Sequence, residues 1–429
     1  MDNVAVHPDQ LAALRTPDGE AALVSAAEIT AGPAGADPLA AAAALRATGI
    51  GADLAAAALT QADLRRRAVG KFGPDAARMF FTRAGLEQAT RAVVANRRAA
   101  RLRAAGVRTL ADLGCGLGAD TLAAARAGIR VYAVDADPGT AALAAANARA
   151  AGVADRVTVV CADATTVDVA GHDAVFCDPA RRSATGRRTF DPKSYSPPWD
   201  FVQALVERVP RTVVKVAPGV DHALIPAGAE AEWVSVDRDL VEAALWCGPL
   251  AQVARRATLL RTGRAAVELT GDGTEPVPVR PVHGHQQDGS RYLYDPDGSV
   301  IRAHLVAAFA ATVDGALADA SIAYVYADTA VPTPYGRCLE ITDVLPFSLK
   351  RLRALLRERG VTRLEILKRG SALDPAQLRR DLRIRPGSGG GDAATLVLTR
   401  IDGAPTAILA RPADLSPPDI DGTHEPTGR

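Results

Sequence analysis

"TLADLGCGLGAD", residues 109–120, decides how this chain folds. A short apolar run meets three glycines at alternating positions, Gly114, Gly116 and Gly118, and an alanine-rich helical segment follows. Glycine lets the backbone turn tightly and approach a ligand closely. A strand that ends in such a turn and passes straight into a helix opens a parallel α/β unit. The downstream pattern agrees. "RVYAVDAD" (130–137), "RVTVVCAD" (156–163), "HDAVFCD" (172–178) and "RTVVKVAP" (211–218) are short β-rich runs, with helical segments such as "PGTAALAAANARAAG" (138–152) among them. Strands alternating with helices imply a right-handed, Rossmann-like α/β sheet. "AEWVSVDRDL" (231–240) and "RRATLLRTG" (255–263) are expected as the last two strands, paired antiparallel, with "VEAALWCG" (241–248) between them.

Outward from this sheet, residues 1–105 read as a helical region. "DPLAAAAALRATG" (37–49) and "DLAAAALTQADLRRRAVGKFG" (53–73) begin at Asp and stop at Gly, as helices do. "MFFTRAGLEQATRAVVANRRAARL" (79–102) reads as one longer amphipathic helix after an aromatic lead-in. The α/β domain spans 106–262. Residues 263–345 read as a small α+β module, with a helix in "AHLVAAFAATVDGAL" (303–317) and a strand in "IAYVYAD" (322–328). Residues 346–412 form a second α+β unit, and the Pro/Asp/Gly-rich 413–429 read as a disordered tail.

The 429 residues are 48% hydrophobic and 23% charged, which describes a globular chain of several domains. Aromatics are only 4%, so Ala, Val and Leu must fill the core. Net charge is +1, which by itself implies no special partner. Five scattered cysteines without a C-x-x-C pair argue against a disulfide framework or a metal site, and fit a reducing cytosol. "MDNVAVHPDQ" has no basic leader, and no apolar run reaches the length of a membrane span. A cytoplasmic location, with no membrane and no metal, is the expectation.

The glycine loop has companions. Asp135 ends the second strand, 21 residues after Gly114, where a carboxylate can accept ribose hydroxyls. Asp163 ends the third. Gly114, Gly116 and Ala119 also satisfy a dinucleotide fingerprint, but Asp112 stands two residues before the first glycine. An acid there repels a pyrophosphate and suits an ammonium group. Over residues 78–262, this order of motifs resembles the class I S-adenosylmethionine-dependent methyltransferases. The resemblance implies that Asp112, Gly114, Gly116 and Gly118 hold the methionine part of S-adenosylmethionine, Asp135 the ribose and Asp163 the adenine. "FFTR" is similar to an aromatic-Thr turn that many nucleic-acid methyltransferases place over the methionine carboxylate, which makes Thr82 a further cofactor contact. A plain helix N-cap explains Thr82 equally well.

In a doubly wound sheet the ligand lies beyond the carboxyl ends of the strands. "FCDPARR" (176–182) is the end of the fourth. Enzymes of the resembled family that methylate amino groups carry D/N-P-P-Y/F there. This chain keeps Asp178 and Pro179 but has Ala180 and Arg181 next, so the base-stacking aromatic is missing. Arg181 and Arg182 suit a phosphate or carboxylate instead. Cys177 points to the opposite face from Asp178 and reads, with Cys161, as a core thiol. Lys215 lies in an otherwise apolar fifth strand, a costly position unless it is paired or functional. A snorkelling lysine at the strand end is the plain alternative. A lysine here with an acid after the fourth strand is similar to ribose 2′-O-methyltransferases. Asp178, Pro179 and Lys215 are therefore the candidate catalytic residues.

Residues 346–385 hold 12 Lys/Arg against four Asp/Glu. Lys350, Arg351, Lys368, Arg369, Arg379 and Arg380 belong to this excess. A one-signed patch attracts phosphate backbones, although a charge run is also the ordinary dress of a solvated face. The segment resembles the THUMP-like domain that follows a methyltransferase domain in bacterial proteins, and this resemblance implies RNA as partner and a ferredoxin-like form for the preceding module, 263–345. The sequence thus points to an RNA methyltransferase. A methyltransferase of protein or small molecules, or a non-catalytic RNA-binding protein with a relic cofactor site, remain as the other readings.

Overall fold

The computed structural model describes residues 8–181, 195–280, 290–383 and 392–415. The chain divides into two compact units, Met1–Ala231 with Glu242–Gln252, and Glu232–Val241 with Val253–Arg429.

The first unit begins with helices α1 (Pro8–Leu14), α2 (Pro17–Ala31), α3 (Pro38–Ala47) and α4 (Ala52–Phe72). Thr16 and Asp37 cap α2 and α3 by accepting from the Gly19 and Leu39 amides, each with Pro in the first turn. Such caps are worth about 1 kcal/mol each. Segment 79–102, expected as one helix, is two: α5 (Arg83–Gln88) and α6 (Ala92–Ala104). The reason is a competing donor. Lys71 Nζ donates to the carbonyls of Leu86, Glu87 and Ala89, which satisfies the end of α5 and lets residues 89–91 run extended.

The sheet contains β1 (Thr109–Leu113), β2 (Arg130–Asp135), β3 (Val157–Cys161), β4 (Ala174–Cys177), β5 (Thr212–Val216), β6 (Glu230–Val236) and β7 (Asp239–Trp246). Their order is β3-β2-β1-β4-β5-β7-β6. The first five are parallel; β7 runs antiparallel to β5, with Lys215 opposite Ala244. Helices α7 (Ala119–Arg126), α8 (Pro138–Ala150) and α9 (Trp199–Arg208) supply connections. The expected neighbours 231–240 and 255–263 do lie side by side, Arg255–Leu260 following β6 in the sheet, but they are not its last strands, and the segment between them is no mere connection. "VEAALW" is itself strand, and it inserts beside β5. Its Ala-rich composition suggests helix, but the residues pack between two strands and their backbone groups are taken by the ladder.

The second unit contains the antiparallel pair β8 (Arg255–Leu260) and β9 (Val267–Gly271). It also has a seven-stranded sheet that includes β10 (Tyr292–Pro296), β11 (Gly336–Pro346), β12 (Val361–Lys368), β13 (Asp392–Ile401) and β14 (Ala404–Pro412). Two short strands, Ala316–Leu317 and Val325–Ala327, complete it on the β10 side, and the order continues β10-β11-β14-β13-β12. Helices α10 (Gly298–Arg302) and α11 (Val306–Thr312) precede β11. Helices α12 (Leu349–Glu358) and α13 (Pro375–Leu382), capped by Ser348 and Asp374, bury Leu352, Leu356, Leu378 and Leu382 against Leu396, Leu398 and Leu409 of the sheet. The boundary expected at 345/346 falls inside β11, so 263–345 and 346–412 share one sheet. Most of the tail at 413–429, and Arg182, lie outside the described residues.

Candidate active site

The carboxyl ends of β1, β2, β4 and β5 bring Asp112, the glycine loop, Asp135, Asp178 and Lys215 together. The glycine loop adopts left-handed backbone at Gly114 (φ 86°), Gly116 (φ 56°) and Gly118 (φ 87°). At Gly114 a side chain is excluded twice. A Cβ there is strained at this φ, and it would stand 2.9 Å from the Asp178 carbonyl oxygen. The loop therefore touches the Asp178-Pro179 turn directly. Gly114→Ala is expected to cost about 1–3 kcal/mol of stability and to displace Asp178, with loss of activity. Thermal unfolding and turnover check it; a variant as stable and active as the wild type would show that the contact is not needed.

Asp112 is fully buried at the end of β1. One carboxylate oxygen accepts from the Thr121 hydroxyl, and Oδ1 has no hydrogen-bond partner among the described residues. Burial raises its pKa to about 7, helped by Asp120 and Asp178 and opposed by Thr121 and Arg98. A buried acceptor without a partner needs an explanation, and a bound cation supplies one. Asp135 accepts from the amides of Gly116 and Asp137, both at 3.0 Å, so it ties the glycine loop to the end of β2. Its pKa too is raised by burial. Asp163 is exposed and accepts from the Thr165 amide and hydroxyl, the geometry of an Asx turn.

Thr82 caps α5, accepting from the Gly85 amide at 2.9 Å. The aromatic lead-in before it is pinned by two amides that the sequence reading missed. Gln61 exchanges hydrogen bonds with the Phe81 backbone. Asn147 of α8 bonds the Phe80 backbone on one side and the Leu117 carbonyl on the other. Asn147 is wholly buried. So polar a group is buried only where its bonds are made.

Lys215 Nζ donates to Asp178 Oδ2 at 2.7 Å. The lysine side chain is 13% exposed and the aspartate 32%. Desolvation pulls the ammonium's pKa down, but Asp178, Glu242 and Asp120 together hold it above its ordinary value. Beneath this pair lies a network absent from the sequence reading. Arg98 of α6, 4% exposed, bonds Asp120 of α7 and Glu242 of β7, and its guanidinium rests on the Phe176 ring. A buried ion network is weak evidence for stability and calls for a functional reason. In this cluster Asp112, Asp120, Asp178 and Glu242 face Arg98 and Lys215, so carboxylates outnumber cations. The donor set, the orphan oxygen of Asp112 and the side-chain-free cradle fit a ligand that carries positive charge.

Pro179 is buried. After it the backbone of Ala180–Arg181 pairs antiparallel with Tyr195–Ser196. Tyr195 and Trp199, both buried, stand ring to ring at 5.9 Å. The side chain of Arg181 lies outside the described residues, as Arg182 does. Cys177 is buried and its thiol pushed far up by desolvation, which removes it as a nucleophile at neutral pH. Cys161, expected in the core, is exposed instead, since β3 is the sheet edge. Lys350, Arg351, Lys368, Arg369, Arg379 and Arg380 all belong to the second unit; Arg369 is half-buried and the other five are exposed. Among the described residues no group of three His, Cys, Asp or Glu is placed to hold a metal, and no helix is long and apolar enough to cross a membrane.

Strand order β3-β2-β1-β4-β5-β7-β6, with an acidic glycine loop at its centre, defines a Rossmann-like nucleoside-cofactor enzyme. The comparisons make the class specific. The methyltransferase domain family matches residues 110–184, the THUMP domain-like family residues 336–412, and a domain of unknown function residues 7–68. Two Mycobacterium tuberculosis proteins, from strains CDC 1551 / Oshkosh and ATCC 25618 / H37Rv, are each named an uncharacterized S-adenosylmethionine-dependent methyltransferase. Each is 35% identical over 367 residues, covering 82% of this chain and 95% of its own. A crystal structure of a candidate methyltransferase from Porphyromonas gingivalis W83 shares the fold, with TM-score 0.66 at 20% identity over 85% of this chain and 92% of that one. The chain belongs to the S-adenosylmethionine-dependent methyltransferases, and its cofactor is S-adenosylmethionine.

Proposed function

We propose that this methyltransferase acts on RNA, held by the C-terminal unit. The observation that carries this reading is the one-signed surface of the THUMP-domain-like region. Lys350 and Arg351 of α12, Lys368 of β12, and Arg379 and Arg380 of α13 are exposed together in a stretch with 12 bases and four acids. Such a surface suits phosphates, whose counterions it releases.

In the first unit, Asp112 and the backbone of Gly114, Gly116 and Gly118 receive the methionine end of the cofactor, Asp135 the ribose and Asp163 the adenine side, with Thr82 over the loop. When bound, S-adenosylmethionine supplies an electrophilic methyl group on a sulfonium. The protein's own work is alignment and proton management. Asp178 orients the acceptor and accepts its hydrogen. Lys215 stays charged and fixes the Asp178 carboxylate through its hydrogen bond. Pro179 stiffens the turn, and Arg181 and Arg182 meet an anionic substrate. The five cysteines, free among the described residues, are compatible with work in the cytoplasm.

Transfer of labelled methyl to total RNA from a strain lacking the protein tests the reading. Label should enter RNA; label in protein or small molecules alone rejects it. Charge reversal at Arg379 and Arg380 should weaken RNA binding and flatten its dependence on salt by about 1–2 units of slope. An unchanged slope removes α13 from the RNA surface.

A further inference from the structure

A second charged cluster lies in the C-terminal unit and includes Arg369. Asp295 of β10 is 7% exposed and sits at its centre. Three guanidiniums converge on it. Arg369 places NH2 2.8 Å from Oδ1, Arg238 places NH2 3.4 Å from Oδ2, and Arg337, the cross-strand neighbour of Asp295, lies at 3.9 Å. Arg337 also pairs with Glu365 at 2.7 Å, and Arg369 stands over the Tyr324 ring. Three cations thus meet two carboxylates.

Their donors are not used up. Each guanidinium carries five N–H groups, and the Nε atoms of Arg337 and Arg369 are buried with no partner among the described residues. All three side chains are only about one third exposed, so their charge is poorly screened by water. The placement of Arg238 is an independent sign. It follows Asp237 in the two-residue turn between β6 and β7, and both adopt positive φ, 49° and 74°. Asn-Gly is the relaxed choice for such a turn. An arginine is kept there against backbone preference, with its guanidinium on Asp295.

We infer that Arg238, Arg337 and Arg369 around Asp295 form a phosphate-binding site for the RNA backbone. Guanidiniums match phosphate oxygens in paired hydrogen bonds, and Asp295 holds the three forks in place while offsetting part of their repulsion. The inference rests on the RNA reading above and adds a specific grip on one or two phosphodiesters.

Binding of a labelled short RNA hairpin to the full chain, followed over a salt series, tests it. Asp295→Asn removes the offsetting charge and should tighten RNA binding about three- to tenfold. Arg369→Gln should weaken binding and lower the salt slope by about one. Arg238→Gly should do the same while leaving thermal stability equal or higher, because the turn relaxes. A purely structural ion cluster gives the opposite pattern: Asp295→Asn leaves affinity unchanged or weaker, Arg238→Gly lowers stability, and the slopes stay put. The Gly and Gln variants decide the matter if Asp295→Asn does not fold. If the wild type binds no RNA, the RNA reading itself fails. If it binds and these three variants behave like wild type, only the arginine site fails.

Discussion

Asp178→Ala should lower methyl transfer by about 10²–10⁴-fold, the range for losing a positioned acid–base group, while S-adenosylmethionine still binds. The two effects separate because Asp178 faces two ways. Its carbonyl oxygen touches the glycine loop at Gly114, and the substitution leaves that backbone contact in place. Its carboxylate faces Lys215. Asp178 also raises the pKa of Asp112, so removing it makes Asp112 easier to ionise, and cofactor affinity should stay the same or tighten slightly. Lys215→Met should lower turnover in the same direction, and the double variant should lose less than the product of the two losses, because paired groups act as a unit. Single-turnover transfer with calorimetry of cofactor binding measures both. Near-normal turnover in Asp178→Ala would move the acceptor site away from the end of β4.

Asp112→Asn should weaken S-adenosylmethionine binding by about 30-fold or more, since truncating one member of a buried charge pair typically costs 2–5 kcal/mol. It should also abolish a pH dependence. In the free enzyme the pKa of Asp112 is raised by burial to about 7. A raised carboxyl pKa favours the protonated folded form at low pH, so this group's contribution to stability is lost as pH rises through about 7. Cofactor binding has the opposite sign. An ammonium beside the carboxylate favours ionisation and expels the proton. Affinity should therefore rise up to about tenfold per pH unit below pH about 7 and level off above it. Asp112→Asn, which has no proton to lose, should lack this rise. Calorimetry in buffers of different ionisation heat reads the released proton directly. A wild-type affinity flat across this range would mean that Asp112 does not meet the cofactor's charge.

The glycine loop, the acids at the strand ends and Lys215 were legible in the sequence for one reason. Each is a local departure from what its element requires: glycines where a turn goes left-handed, acids where apolar strands stop, a lysine inside an apolar run. The α+β character of 346–412 was legible too, and the caps of α12 and α13, Ser348 and Asp374, are of the ordinary helix-starting kind. Arg98, Glu242 and Asn147 gave little such signal. Arg98 is one arginine among several in "ANRRAARLR", and nothing in the spacing tells a buried guanidinium from a solvated one. Glu242 sits in "VEAALW", which carries helical propensity and becomes strand only because β5 offers a ladder. Likewise "TRAGLEQATRAVVA" is helical throughout by pattern, and the carbonyls at its break are taken by Lys71 from another helix.

By itself, then, the sequence determined the α/β class, the tight glycine turn, and the placing of Asp178 and Lys215 at the ends of successive strands, since those follow from short-range backbone rules and parallel-sheet topology. Only the tertiary structure decided which charges are buried and shared. Arg98, Asp120 and Glu242 under Lys215, and three arginines on Asp295, come from segments far apart in the chain. Whether a charge is neutralised, strengthened or screened depends on the dielectric and the neighbours that folding assembles.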